Sequence, residues 1–376
     1  MTNNETLIQL FIELAGIPGK SLNEAALAAH IRRRLDGLPF TVETDDAGRA
    51  LGGNTGNLLI KPAHFDPAKP VRVYMAHMDT VRDTTGIGIL RDKGKITSDG
   101  TSQLGADNRA GVAVLLQLLL DVTLSPPNYM VVFTIAEEIG LKGAELLDFG
   151  GLDVEAVFVF DSSRRPGAYI RTCAGKFRFE ARIKGRAAHS AVAPQEGISA
   201  IMVAAEALQG VTIGKLDEMT TINVGTIHGG EANNIVAPLC VATGEVRSET
   251  MDAVATHLDR IETAFATACE RHGASLEFIR TKDFAPFDLD PDSLLVRTLE
   301  EAIHRAGAAV DPLRYSGGSD ANVLNERGYA AVNIGIGAQK PHADDEFILE
   351  EDLVTAWRIA QNLMIMHSEQ GQSNRF

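Results

Sequence analysis

A mixed α/β fold with a mostly parallel sheet sandwiched by helices is the class this sequence predicts, and three observations predict it. Short apolar runs that suit buried strands alternate with amphipathic stretches, the order of an open sheet covered by helices. In the middle of the chain this gives way to period-two alternation, the mark of half-exposed strands, in the order strand, helix, strand, strand, helix, strand. Beyond that stretch the apolar strand and amphipathic helix pattern resumes. The chain therefore reads as a ferredoxin-like βαββαβ unit, residues 173–285, inserted into an α/β domain made of residues 1–172 and 286–376.

Taken in order, Ser21–Leu35 carries helical apolar periodicity, and its Arg32-Arg33-Arg34 run is a solvated helix end. Val71–Ala76 (VRVYMA), Tyr129–Ala136 (YMVVFTIA) and Ala156–Phe160 (AVFVF) are buried strands, with a helix over Gly111–Val122. Lys176–Lys184 (KFRFEARIK) opens the inserted unit. A helix over Gly197–Leu208, strands over Thr220–Ile227 and Ile235–Glu245, a helix over Ala253–Arg271 and a strand over Ser275–Thr281 complete it. Ser293–Ala306 is again helical, Tyr329–Gly335 (YAAVNIG) is an apolar strand, and Leu353–Met366 closes as a helix before a loose tail from Ser368.

Composition narrows the function. With 45% hydrophobic and 23% charged residues the chain is globular, which excludes disordered, collagenous and coiled-coil classes. Fifty acidic against 35 basic residues give a net charge of −15, the wrong sign for gripping a nucleic-acid backbone. Cys173, Cys240 and Cys269 form no CxxC pair, which suits a reducing, cytoplasmic compartment. The opening MTNNETLIQL has no basic region leading into an apolar core, so no secretory signal is expected. The longest apolar run, Val112–Leu120, is too short to span a membrane.

In open α/β sheets the ligand crevice lies outside the carboxyl ends of the strands. His77 and Asp79 (HMDT) end the first buried strand, and Asp107 (GADNRAG) stands just before a helix. Glu137 and Glu138 (AEEIG) and Asp161 (VFDSS) end the next two strands, and His342 (PHADDEF) follows the last. These seven residues are expected to converge at one rim although they span 265 positions. A His followed two residues later by Asp is uninformative alone, since it recurs at His64/Asp66, His257/Asp259 and His342/Asp344. Only His77 ends a strong apolar strand. The pairs Glu300-Glu301 and Glu350-Glu351 are likewise solvated helix positions, whereas Glu137-Glu138 follows a buried strand, where two carboxylates are heavily desolvated unless a cation meets them.

Two imidazoles and several carboxylates without a thiolate suit zinc, with cobalt or manganese as alternatives. The set fills two sites about 3.5–4 Å apart, a spacing at which two ions clamp both a water and the oxygen that develops charge. A helix amino terminus near Asp107 helps hold its carboxylate. The expected reaction is amide hydrolysis with a carboxylate as general base.

With HMDT, GADNRAG, AEEIG, VFDSS and PHADDEF in this order, the sequence resembles the dinuclear-zinc metallopeptidase family of peptidase T, the tripeptide aminopeptidase. Glutamate carboxypeptidase, aminoacylase and dipeptidase relatives share the plan. The resemblance covers nearly the whole chain, including an inserted lid. It implies that His77 and Asp161 bind one metal, that Glu138 and His342 bind the other, and that Asp107 bridges them. It also implies that Asp79 orients His77 through its second ring nitrogen. Glu137 would then take the proton of a bridging water and pass it to the leaving amine. The residue after the bridging Asp, often Asp in the family and joined by a cis peptide, is Asn108 here.

The lid carries further matches. His189 (GRAAHSA) resembles the histidine that reaches the partner subunit's active site to stabilise the oxyanion, which implies a homodimer formed through the lids. Asn234 (EANNIVAP) and Arg247 (GEVRSE) match residues that contact substrate, Arg247 as a planar fork for a peptide carboxylate. Gly317-Gly318-Ser319-Asp320 resembles the substrate-loop GGTD motif, making Gly318 and Ser319 substrate contacts. The competing readings are a polar loop residue for His189, a surface arginine for Arg247 and a plain turn for the glycine motif.

A neighbouring class of dinuclear aminopeptidases shares this ligand order but inserts its extra domain between the first His and the bridging Asp. Only 28 residues separate Asp79 from Asp107 here, and the insertion follows Asp161. Within the family, ERGYAAVNIGIGAQKPHADDEFI and TIAEEIGLKGA look most like peptidase T-like proteins, so release of the amino-terminal residue from tripeptides is expected. The alternatives are a carboxypeptidase or an N-acyl-amino-acid hydrolase (deacetylase), and, more remotely, a non-catalytic metal-binding homologue. The expected partners are a short peptide and a second copy of the chain, with neither nucleic acid nor membrane.

Overall fold

The computed structural model describes residues 3–121 and 128–373. They form two compact units, one built from the chain up to Arg171 with Leu289–Leu313 and the chain from Ser319, the other from Thr172–Asp288 with Arg314–Gly318.

In the first unit the sheet runs in the order Phe40–Thr44, Leu58–Pro62, Tyr129–Thr134, Val71–His77, Val154–Ser162, Ala331–Gly335, Ala168–Cys173. The four central strands, Tyr129–Thr134 to Ala331–Gly335, are mutually parallel. Antiparallel strands extend the sheet at either side. Every residue of Val71–His77 and Tyr129–Thr134 is buried, which is why these segments are mostly apolar instead of alternating, with Arg72, His77 and Thr134 as the polar exceptions. Residues of Asn3–Ala15, Ala106–Leu120, Leu294–Arg305 and the carboxyl-terminal helix close over the sheet, with Phe11, Leu116, Phe158, Leu299 and Trp357 in one core. Ala106–Leu120 is buried on nearly every face, as the apolar composition of its Ala110–Leu120 part, broken only by Gln117, requires.

Boundaries shift where tertiary contacts claim the ends. The first predicted helix starts at Ala25, not Ser21, because Leu22 takes a left-handed φ of 70° and Ser21 and Glu24 turn into the interior. The strand predicted to reach Ala136 ends at Thr134, because the amides that follow donate to side chains. The strand expected from Ile235 begins at Leu239: Val236 N–H donates to the Ala188 carbonyl, and the Ala237 and Pro238 carbonyls accept from Ala200 and Gly185. The closing helix runs Glu350–Ser373, past the point where a loose tail is expected, because an established helix propagates through polar residues that carry no apolar stripe. Val122 and residues 374–376 lie outside the described residues. The helix Asn3–Ala15 and the small sheet of Ile89–Asp92, Lys95–Ser98 and Phe347–Leu349 have no counterpart in the sequence-based reading.

The second unit is an antiparallel sheet in the order Gly214–Lys215, Thr221–Gly229, Leu239–Ser248, Gly175–Lys184, Ser275–Phe284. Helices Ala200–Gln209 and Met251–His272 cover one face, packing on Phe179, Ala181, Ile183 and Val246. Thr250 caps the longer helix by accepting from the Ala253 amide at 3.1 Å, and Gly273 ends it in a left-handed conformation. This is the ferredoxin-like arrangement. Residues 314–318 join this unit: the Tyr315 carbonyl accepts from Ala174, the Ser316 carbonyl accepts from Arg247, and Arg314 pairs with Glu218 and Glu249. No helix among the described residues is long and apolar enough to cross a membrane.

Candidate metal centre

The site lies in the first unit, where the central strands end. His77 closes Val71–His77 with 2% of its surface exposed. Its Nδ1 lies 3.1 Å from the Asp79 carbonyl oxygen and 3.3 Å from Asp79 Oδ1. Its Nε2 lies 3.1 Å from both Asp107 Oδ1 and Asp161 Oδ1, and 4.0 Å from Glu137 Oε2. His342 Nε2 sits 3.1 Å from Glu138 Oε2 and 3.7 Å from Asp107 Oδ2. The two oxygens of Asp107 thus face different histidines. All seven residues singled out from the sequence meet here, and ligand atoms of His77, Asp107 and Glu138 fall within 4.8 Å of one another.

Each side chain is set by remote contacts. Asp79 is fully buried; it accepts from Ser21 Oγ at 2.6 Å and from the amides of Glu137 and Glu138 at 3.0 and 3.1 Å. Burial opposes its charge, but His77, Ser21 and the Glu137 amide outweigh that and hold its carboxyl below the usual range. Asp107 stands at the head of Ala106–Leu120 with non-helical backbone, and its peptide bond to Asn108 is cis. Asn108 Nδ2 donates to the Phe160 carbonyl at 2.9 Å and to Asp161 Oδ1 at 3.2 Å, while its Oδ1 accepts from Gly111 at 3.0 Å. A Cβ on Gly111 would lie 2.2 Å from the Phe160 oxygen, so only glycine permits this approach.

Two acids enter the site that the sequence did not single out as functional. Glu346 accepts from the amides of Gly105 and Asp107 at 2.7 and 3.0 Å, and so supports the segment bearing Asp107. Asp320 accepts from Thr134 Oγ1 at 2.6 Å, and its other oxygen is buried without a hydrogen-bond partner among the described residues. Both lie inside motifs read from the sequence, Glu346 in PHADDEF and Asp320 in Gly317-Gly318-Ser319-Asp320, but neither is given a role there.

The electrostatics describe a pocket short of positive charge. Burial pushes Glu138, Asp320 and Glu346 up to about 7, and raises Glu137 and Asp161 as well. His342 is pushed up to about 8, first by its contact with Glu138. Glu138 Oε1 is buried without a hydrogen-bond partner among the described residues. Closely packed, desolvated and under-bonded carboxylates beside two imidazoles fit divalent cations, which would relieve the mutual repulsion. Divalent metal is therefore expected to stabilise the fold by about 4 kcal/mol at a thousandfold excess over Kd. Calorimetry with and without a chelator reads this directly; an unchanged Tm on chelation would exclude a metal role for these acids.

The other sequence-predicted residues fall elsewhere. His189 and Asn234 are exposed neighbours on the second unit, where His189 bridges to Ile235 and the Asn234 carbonyl accepts from Ser190. Arg247 lies toward the opposite end of that sheet, paired with Lys176, and donates to Glu245 at 3.0 Å and to the Ser316 carbonyl at 2.6 Å. Gly317 and Gly318 pack against the rings of Tyr315 and Phe284. Ser319 is buried at the start of Asp320–Glu326, its amide donating to Asn322 Oδ1 at 3.0 Å, so its side chain takes no part in an open substrate surface.

Residues 174–273 match the family model of a peptidase dimerisation domain, and residues 87–165, which hold Asp107, Glu137, Glu138 and Asp161, match that of the M42 glutamyl aminopeptidases. The fold matches a tripeptidase structure from Staphylococcus aureus with a TM-score of 0.91 and 28% identity, covering 97% of this chain and 99% of that one. It matches the aminopeptidase PepT structure from Bacillus cereus with a TM-score of 0.89 and 27% identity, covering 97% and 98%. Acetylornithine deacetylase of Myxococcus xanthus is 27% identical over 355 residues, 87% of this chain and 88% of that protein. In sequence and in fold the chain is thus similar to the tripeptidase and aminopeptidase PepT structures, and residues 174–273 match a peptidase dimerisation domain.

Proposed function

We propose that the chain hydrolyses amide bonds in short peptides, releasing the amino-terminal residue of tripeptides, in a reaction that needs two divalent ions. The observation that carries this reading is Asp107, whose two carboxylate oxygens face His77 and His342 separately while Glu137 stands beside the same cluster. In this assignment His77 and Asp161 hold one ion, Glu138 and His342 hold the other, and Asp107 serves both. Zinc suits the donor set, with cobalt and manganese next. Such ions, when bound, supply Lewis acidity toward a carbonyl oxygen and acidify water.

The chain's own groups do the remainder. Glu137 takes a proton from the attacking water and delivers it to the leaving amine. Asp79 orients His77 from its Nδ1 side and anchors the backbone of Glu137 and Glu138. His189 Nδ1 accepts from the Ala191 amide at 3.2 Å, so the neutral ring carries its proton on Nε2 and offers a donor to an oxyanion. Arg247 and Asn234 are assigned to substrate, and any contact from Gly318 and Ser319 is through the backbone.

Residues 184 and 176, beside which the His189 loop and Arg247 respectively lie, are eight residues apart on one strand, about 26 Å at 3.3 Å per residue. A tripeptide extends only about 10 Å. One lid therefore does not offer both groups to one substrate, which supports a homodimer in which the partner lends its histidine. The edge of Thr221–Gly229 supports this too: Gly214–Lys215 pairs only with Thr221 and Ile222, leaving an exposed strand edge with Ile227 47% exposed. Cys173, Cys240 and Cys269 are buried and form no disulfide among the described residues, which suits the reducing cytoplasm.

The deacetylase relative supports a second reading, hydrolysis of an N-acyl amino acid. Tripeptides blocked at either end, assayed with zinc, cobalt or manganese, separate the two. Cleavage is expected only with a free amino terminus; cleavage that survives an amino-terminal block but not a carboxyl-terminal one would reassign the enzyme as a carboxypeptidase or acyl hydrolase. A protein holding less than one metal equivalent under replete conditions would point to a non-catalytic homologue.

A further inference from the structure

The backbone that leaves Tyr129–Thr134 carries Glu137 and Glu138, and four successive amides of it donate to side chains. Ile135 donates to Asn57 Oδ1 at 3.0 Å, Ala136 to Glu24 Oε1 at 3.0 Å, Glu137 to Asp79 Oδ1 at 3.0 Å and Glu138 to Asp79 Oδ2 at 3.1 Å. Ala136 is held at a φ of 52°, a left-handed conformation that residues with a Cβ rarely adopt and that persists only where surroundings enforce it. This left-handed residue turns the chain immediately before the two glutamates.

Glu24 is an improbable residue for bulk stability at that place. It is fully buried, precedes Ala25–Leu35 without capping it, and turns inward to accept from Leu22 at 2.9 Å and from Ala136 with the same oxygen. Its other oxygen has no hydrogen-bond partner among the described residues. The fully buried Arg109, which donates to the Met78 and Ile17 carbonyls, supplies the opposite charge in the same region. A carboxylate kept in such a place, on a strained residue adjoining the active segment, is explained by what it holds.

We propose that Glu24 is a positioning residue for the reaction: by receiving the Ala136 N–H it fixes the left-handed turn that aims Glu137 and Glu138 into the centre. This rests on the reading of Glu137 as general base and Glu138 as metal ligand. Glu24 touches neither substrate nor metal in that scheme.

The test uses the full-length protein with E24L, E24Q and E24D, each brought to full metal content. E24L is expected to lose about 10²-fold in kcat, the scale of an ångström-level misplacement, with KM within about threefold of wild type. E24Q keeps a carbonyl oxygen able to accept from Ala136 and is expected to recover most of the rate, whereas E24D, one methylene short, falls between. Hydrogen exchange at the Ala136 amide should quicken in the same order, and the visible absorption of cobalt-loaded protein should change in E24L. A metal-loaded E24L with kcat within about threefold of wild type would overturn the proposal, as would E24Q as defective as E24L. If E24L does not fold, E24D with unchanged kcat and unchanged Ala136 exchange overturns it equally. If the wild type cleaves no peptide at all, the functional reading fails, while the exchange and cobalt absorption still report on whether Glu24 holds the turn.

Discussion

Replacing Glu137 by Gln should lower kcat by about 10³- to 10⁴-fold, within the range a positioned general base supplies, while metal content and KM stay near wild type. Glutamine preserves the size of the side chain and leaves the Glu137 amide free to donate to Asp79, so the turn should not move. What it removes is the ability to take a proton. In the proposed scheme Glu137 is not a ligand, and its closest approach to His77 Nε2, 4.0 Å, is the longest among the carboxylates facing that nitrogen. Steady-state kinetics beside elemental analysis of the same sample separate the two roles. A variant that keeps near-normal turnover would show that another group accepts the proton; one that loses metal would move Glu137 into the ligand set.

Truncating His189 to Ala should cost about 10²- to 10³-fold in kcat with a much smaller change in KM, because an oxyanion donor acts mainly in the transition state. The residue is exposed and hydrogen-bonds only locally, so stability should be nearly unaffected. The decisive measurement mixes H189A with E137Q. If the histidine acts across a two-fold dimer, each heterodimer contains one centre with both groups intact, and a random mixture should regain about a quarter of wild-type activity. Recovery absent from mixtures that demonstrably exchange subunits would place the histidine on its own subunit's centre or remove it from the mechanism.

The elements most legible in the sequence were those whose burial is encoded locally. VRVYMA and YMVVFT are mostly apolar and do not alternate because both faces of a parallel strand are covered; the buried exceptions are Arg72, which pairs with Glu155, and Thr134, which donates to Asp320. KFRFEARIK alternates because only one face of the inserted sheet is covered. The Glu137-Glu138 pair was legible for a related reason: two acids at the end of a buried strand conflict with their surroundings unless something meets them. Ser319 and the glycines before it illustrate the opposite case. Their motif resembles a substrate loop, but Ser319 is buried at the head of a helix and the glycines pack on aromatic rings. Motif resemblance does not report where a side chain points.

Fold class, the order of the strands along the chain and the identity of the seven clustered residues were determined by the sequence itself, since periodicity, composition and position at strand ends are local properties. The tertiary structure alone decided which groups hold those residues in place. Glu24 lies in the segment patterned as the first helix and Glu346 in the PHADDEF motif with nothing local marking either as buried, yet each is buried against the backbone of the site, Glu24 on a partner 112 positions away and Glu346 on one 239 positions away. Such a hydrogen bond depends on where two distant segments come to rest. Neither segment carries a local periodicity or composition that records it.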